Sequence, residues 1–155
     1  MQVVSPKIEC ESGSENYGKF VAEPLDPGFG VTLGNSLRRV LLSSLPGVAV
    51  TAVKIEGVQH EFTNIPHVKE DVIEFLLNIK ELRLRALTDV PGRLFLEASG
   101  EGAVCAGDIK PSAEFEIVNP ELHLVTLDSP EAQLNVVFYV EQGKGYVPAG
   151  RGDGL

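Results

Sequence analysis

The sequence predicts an α+β fold with a mainly antiparallel sheet and two principal helices. Two stretches place apolar residues at helical spacing, and about six or seven short stretches alternate apolar with polar residues between Gly, Pro, Asn and Asp. The strand-like stretches come in runs, whereas a parallel doubly wound sheet would alternate each strand with a helix. A length of 155 residues suffices for one compact domain or two small ones.

The first helix is expected over Thr32 to Leu45. Leu33, Leu37, Val40, Leu41 and Leu45 fall on one face at 3.6 residues per turn. Thr32 is placed to cap its amino end, and Pro46-Gly47 stops it because proline lacks an amide donor. Leu42 lies off this stripe, beside the basic pair Arg38-Arg39, so the helix presents apolar surface on more than one side and needs more than one partner. Ala49 to Glu56 and Val58 to Phe62, separated by Gly57, read as a hairpin. A second helix follows, with Pro66 in its first turn, Glu70 and Asp71 near the positive end of its dipole, and Lys80 at its close. Val68, Val72, Phe75, Leu76 and Ile79 form its buried face.

Further strands are expected at Leu82 to Ala86, Arg93 to Ala98, Ala113 to Val118, Leu122 to Leu127 and Gln133 to Glu141, the last with Leu134, Val136, Phe138 and Val140 on one face. After Gln142 the pattern gives way to a glycine-rich tail, read as a loop.

Composition excludes several functions. Thirteen basic and twenty-two acidic residues leave a net charge of -9, opposite in sign to what phosphate neutralisation needs, so no direct DNA or RNA contact is expected. No apolar run approaches the ~20 residues that cross a bilayer, and the amino end carries no secretory pattern, so no membrane role and a cytoplasmic location are expected. Cys10 and Cys105 belong to no ligand cluster, and His60, His67 and His123 have no second nitrogen ligand nearby, so neither a metal nor a cofactor is expected. His67, Glu70 and Asp71 are as well explained by acids complementing a helix start. Arg151-Gly152-Asp153 reads as chance in the tail, without an export signal to make it an adhesion motif.

Gly28, Gly30 and Gly34 open the first helix as G-x-G-x-x-x-G. The dinucleotide motif is G-x-G-x-x-G and follows an unbroken strand, whereas Pro24 and Pro27 interrupt this one. A structural turn in which glycines permit close packing is favoured, and a small dinucleotide-binding enzyme is the alternative. Arg38-Arg39 on an otherwise apolar helix reads as an interface pair, since a guanidinium beside apolar surface is what protein interfaces favour.

Residues 23–47, EPLDPGFGVTLGNSLRRVLLSSLPG, closely resemble the amino-terminal assembly domain of bacterial RNA polymerase α subunits. The likeness continues through VKIEGVQHEF (53–62), VKEDV (68–72), LLNIK (76–80) and GKGYVP (143–148). His67 stands where that family commonly has glycine, and Ser36 where alanine is usual. The resemblance implies a non-catalytic scaffold of a nucleotidyltransferase complex, in which two α subunits dimerise and nucleate assembly of the β and β′ subunits. It implies that Leu33, Leu37, Arg38, Val40, Leu41 and Leu45 serve the core helix and dimer seam. It further implies that Arg39, Leu42, Glu74, Lys80 and Val147 meet the large subunits. The expected organisation is the first half of a dimerisation subdomain at 1–47, an inserted α+β subdomain at 48–147 and a tail at 148–155. Because the family's chain returns after GYVP to complete the dimerisation subdomain, the Leu-rich helix is expected to lack cover here and the chain to dimerise weakly or abnormally.

Overall fold

A computed structural model describes residues 5–14 and 17–148. Every strand pairing named in it is antiparallel, in keeping with the α+β class. The backbone divides into two compact units, one up to Leu45 and one from Pro46.

The first unit holds a two-stranded ribbon, β1 (Lys7–Ser14) with β2 (Tyr17–Glu23), and helix α1 (Phe29–Ser43). Neither strand was expected from the sequence. β1 is exposed throughout, so it shows no alternation between a buried and a wet face. Helix α1 begins three residues before Thr32, which is therefore not its cap. Gly28 takes that position with φ 86, a left-handed conformation that glycine adopts without steric cost. The helix also stops short of Leu45, because Pro46 already starts the next strand. Among the described residues β2 pairs only with β1, and antiparallel, so the parallel strand–helix–strand unit of a dinucleotide fold is not seen there and the enzyme alternative gains no framework.

The second unit contains β3 (Pro46–Ile55), α2 (Val72–Lys80), β4 (Leu84–Ala86), β5 (Gly92–Ser99), β6 (Gly102–Cys105), β7 (Phe115–Ile117), β8 (His123–Leu127) and β9 (Gln133–Lys144). β9 lies between β3 and β5, and the pairs β4–β7 and β6–β8 make two further small sheets. Leu134, Val136, Phe138 and Val140 of β9 are all buried, as their alternation predicts. Cross-strand partners extend that apolar face: Val53 and Leu94 flank Phe138, while Ile55 and Leu96 flank Val136. A bulge between Val50 and Ala52 shifts the phase of β3, so Val48 and Val50 face the core before it and Val53 and Ile55 after it. That extra residue is why Ala49 to Glu56 alternates only in part.

Val58 to Phe62 is not a strand. Gly57, at φ 78, turns the chain away, β3 finds its partner in β9, and Phe62 stands in solvent. Gly143 and Lys144, expected in the tail, are instead the last rungs of β9 against Gly47 and Pro46. Arg151-Gly152-Asp153 lies outside the described residues.

Helix α2 starts at Val72, well after Pro66. Residues 67–70 are occupied in pairing with β8: Val68 bridges Leu127, the Lys69 amide donates to the Thr126 carbonyl at 3.0 Å, and the Asp128 amide to that of His67 at 3.0 Å. Val68 is thus buried, but from this strap and not from the helix. His67 sits at φ 60, in the left-handed region that favours glycine. Asp71 caps α2, its carboxylate accepting from the Glu74 amide at 2.7 Å, and Val72, Phe75 and Ile79 enter the core. Asp71→Ala is expected to cost about 1 kcal/mol in urea denaturation, the usual worth of such a cap; an unchanged midpoint would mean the helix end is held by the strap alone.

Candidate functional site

No residue of α1 is buried. Leu33 is half-buried, while Leu37, Val40, Leu41 and Leu45 are exposed, with Leu41 at 61%. The stripe therefore finds no core within this chain. A ribbon and one helix have no second layer in which to bury it. At 3.6 residues per turn, Val31, Arg38 and Leu42 occupy a second face roughly opposite Leu33, with Arg39 beside it. Leu42 is 64% exposed, and among the described residues neither guanidinium has a carboxylate within 4.0 Å. The helix thus offers two faces, one purely apolar and one apolar with two free cations.

Gly30 and Gly34 lie inside the helix, and an added Cβ at either meets nothing within 4 Å. Close packing within this chain does not require them, which corrects the tight-turn reading for all but Gly28.

Glu74 and Lys80 on α2 are exposed, as is Val147 beyond β9. The sequence reading missed Ile73 and Leu77, which share their side of α2 with Lys80 and stand 42% and 55% exposed. The signal was present: they are four residues apart and out of phase with Val72, Phe75 and Ile79. Two apolar side chains between charged ones make a second candidate docking face.

Beside the amino end of α2, Glu70 gathers three donors. The Thr126 amide lies 2.6 Å away, the Thr126 hydroxyl 3.0 Å and His123 Nε2 3.0 Å. Burial pushes this carboxyl up, yet the hydrogen bonds from His123 and Thr126 outweigh it and hold the group below its ordinary value. The partners are a neutral hydroxyl, an amide and an imidazole, an arrangement that anchors a loop. On the sheet β3–β9–β5, an open groove of about 500 Å³ is lined by Lys54, Glu56, Phe95, Glu97 and Asn135 among others. Its carboxylates are already engaged, Glu56 by Asn135 and Glu97 by Lys110, both at 2.6 Å. Among the described residues, no three metal-ligating side chains converge.

The sequence profile of the RNA polymerase Rpb3/RpoA insert domain matches residues 53–153, which is more than half of the chain. The chain belongs to this family. A DNA-directed RNA polymerase subunit alpha from Dehalococcoides mccartyi (strain CBDB1) is 56% identical over 143 residues, covering 92% of this chain and 43% of that protein. The protein of the same description from Roseiflexus sp. (strain RS-1) is 52% identical over 155 residues, covering 100% of this chain and 48% of its own. That from Desulforudis audaxviator (strain MP104C) is 56% identical over 151 residues, covering 96% and 48%. The chain spans about half the length of the curated relatives it matches. Within the Rpb3/RpoA insert match lie Ile73, Leu77, Glu74, Lys80 and the Glu70 cluster, whereas α1 precedes it.

Proposed function

We propose that the chain is part of the non-catalytic assembly scaffold of a bacterial DNA-directed RNA polymerase, working in the cytoplasm. Its role is to pair with a second α subunit and to hold the large β and β′ subunits, whose complex carries nucleotidyl transfer. The observation that carries this reading is α1, a fifteen-residue helix with no buried residue and two differently equipped faces. Exposed apolar surface on that scale marks a site of association. The purely apolar face, with Leu33, Leu37, Val40 and Leu41, suits a symmetric seam with a second copy, where like surface meets like. Arg39 and Leu42 suit a large subunit, since a guanidinium beside leucine combines charge-assisted hydrogen bonds with apolar burial. In the second unit, Glu74, Lys80 and Val147 are a separate large-subunit contact, with Ile73 and Leu77 supplying the apolar part on α2.

The test is gel filtration of the chain with purified β subunit, native beside Arg39→Ala, with a full-length bacterial α subunit as control. Comigration is expected to weaken about tenfold in Arg39→Ala, the scale of an interface arginine that carries binding energy. Binding by the longer chain alone would locate the requirement outside these residues. Failure of both chains to bind would overturn the scaffold reading.

A further inference from the structure

Glu74 and Lys80 of α2, and Glu81 that ends it, are exposed, and among the described residues none has an oppositely charged group within 4.0 Å. They are sorted by sign. At about 100° per residue the order round the helix is Lys80, Ile73, Leu77, Glu81, Glu74. A cation thus flanks the exposed apolar pair on one side and two carboxylates flank it on the other. The face is also fixed in place. Asp71 caps the amino end, and the Asn78 side-chain amide donates to the Leu124 carbonyl at 2.9 Å. At the other end the Asn119 side chain donates to the Glu81 carbonyl at 3.0 Å and accepts from the Arg83 amide at 2.8 Å. A partner therefore meets a helix that needs no ordering, which removes one cost of association.

We propose that α2 is a docking platform for one amphipathic helix of a large polymerase subunit, laid along Ile73 and Leu77 with a carboxylate against Lys80 and Lys or Arg side chains against Glu81 and Glu74. This rests on the scaffold reading above and adds to it the chemistry of the segment that docks.

Ile73, Leu77 and Glu81 recur every four residues, and such a ridge fits the groove between the matching ridges of a second helix. Burial of Ile73 and Leu77 supplies the attraction. The flanking charges then choose among apolar helices, as charges beside the apolar seam of a coiled coil choose partner and orientation. A helix presenting a cation to Lys80 and carboxylates to Glu81 and Glu74 would meet like charge on both flanks, and that repulsion turns it away even where its apolar residues fit. A second copy of α2 laid antiparallel is disfavoured for the same reason, because it sets the lysine flank against a lysine flank and the glutamate flank against a glutamate flank. A helix from another protein, with its charges sorted in the complementary sense, meets no such repulsion.

Photocrosslinking from the middle of the face tests the platform. The intact chain carrying Leu77→benzoylphenylalanine is mixed with purified β and β′ subunits, irradiated, and the joined peptide mapped. The expected adduct is to a helix of a large subunit with an apolar pair three or four residues apart and acidic and basic residues on opposite flanks. Leu77→Asp is expected to weaken comigration about tenfold with an unchanged urea midpoint, because the side chain is already exposed in the free chain. Lys80→Glu is expected to slow association severalfold and to flatten its dependence on salt. An adduct to a peptide without that pattern, or to a second copy of the chain, would overturn the proposal, as would unchanged binding by Leu77→Asp or Lys80→Glu. No adduct while the native chain comigrates with a large subunit would overturn it and leave the scaffold reading standing. A native chain that comigrates with neither subunit would overturn it whatever the full-length α subunit does.

Discussion

Phe138→Ala is expected to lower the stability of the second unit by about 3–5 kcal/mol, measured by urea denaturation. Phe138 is fully buried at the middle of β9, flanked by Val53 of β3 and Leu94 of β5, with Phe75 of α2 equally buried in the same core. Truncation there removes the transfer free energy of a phenyl ring and leaves a cavity that strands fixed on both sides cannot close. Against a total of about 5–15 kcal/mol for a domain, that loss brings the unit near unfolding. Phe62→Ala supplies the contrast. Phe62 is 78% exposed, and its removal should change stability by no more than about 0.5 kcal/mol. A cost below about 1 kcal/mol for Phe138→Ala would show that the core collapses around the gap.

The second large effect is expected at Glu70. Glu70→Ala leaves the Thr126 amide and hydroxyl and the His123 ring without their acceptor, at a cost of about 1.5–3 kcal/mol near neutral pH. The pH dependence follows from the sign of the shift. A carboxyl whose folded-state pKa is lowered contributes stability that is fully present above its unfolded value and is lost as pH falls through the folded one. The native chain should therefore lose this contribution as pH falls below the ordinary glutamate value of 4.5. Glu70→Gln cannot gain or lose that proton, so its stability curve should approach the native one in acid. Parallel curves down to low pH would show that the carboxylate charge is not what Thr126 and His123 hold.

How much of this was legible depended on whether one element could report its own environment. β9 announced itself because Leu134, Val136, Phe138 and Val140 alternate and all face one core. Phe75 and Ile79 were legible for the corresponding reason at helical period. The start of α2 was not, because Pro66, Glu70 and Asp71 all satisfy local rules for a helix start. The pairing of residues 67–70 with β8, from the far side of the sequence, overrides the first two and leaves Asp71 as the cap. β1 and β2 were invisible because strands exposed along most of their length have no period to read. For the candidate site, the Arg38-Arg39 pair on an apolar helix stood out by composition, and α1 is indeed exposed on both faces. Ile73 and Leu77 went unnoticed because an apolar helix draws attention to the face it buries.

The pairing of Pro46 with Lys144 closes the mouth of the β3–β9 ladder. Residues 98 positions apart in sequence lie there across a single rung, roughly 5 Å apart. Loops such as those at Gly57 or Gly100 can grow or shrink without moving the two ends, because the β3–β9 ladder fixes them first. Tension applied at those ends would peel the ladder rung by rung from its mouth. The second unit is therefore tolerant of changes in loop length, while its β3–β9 ladder opens most easily at that mouth.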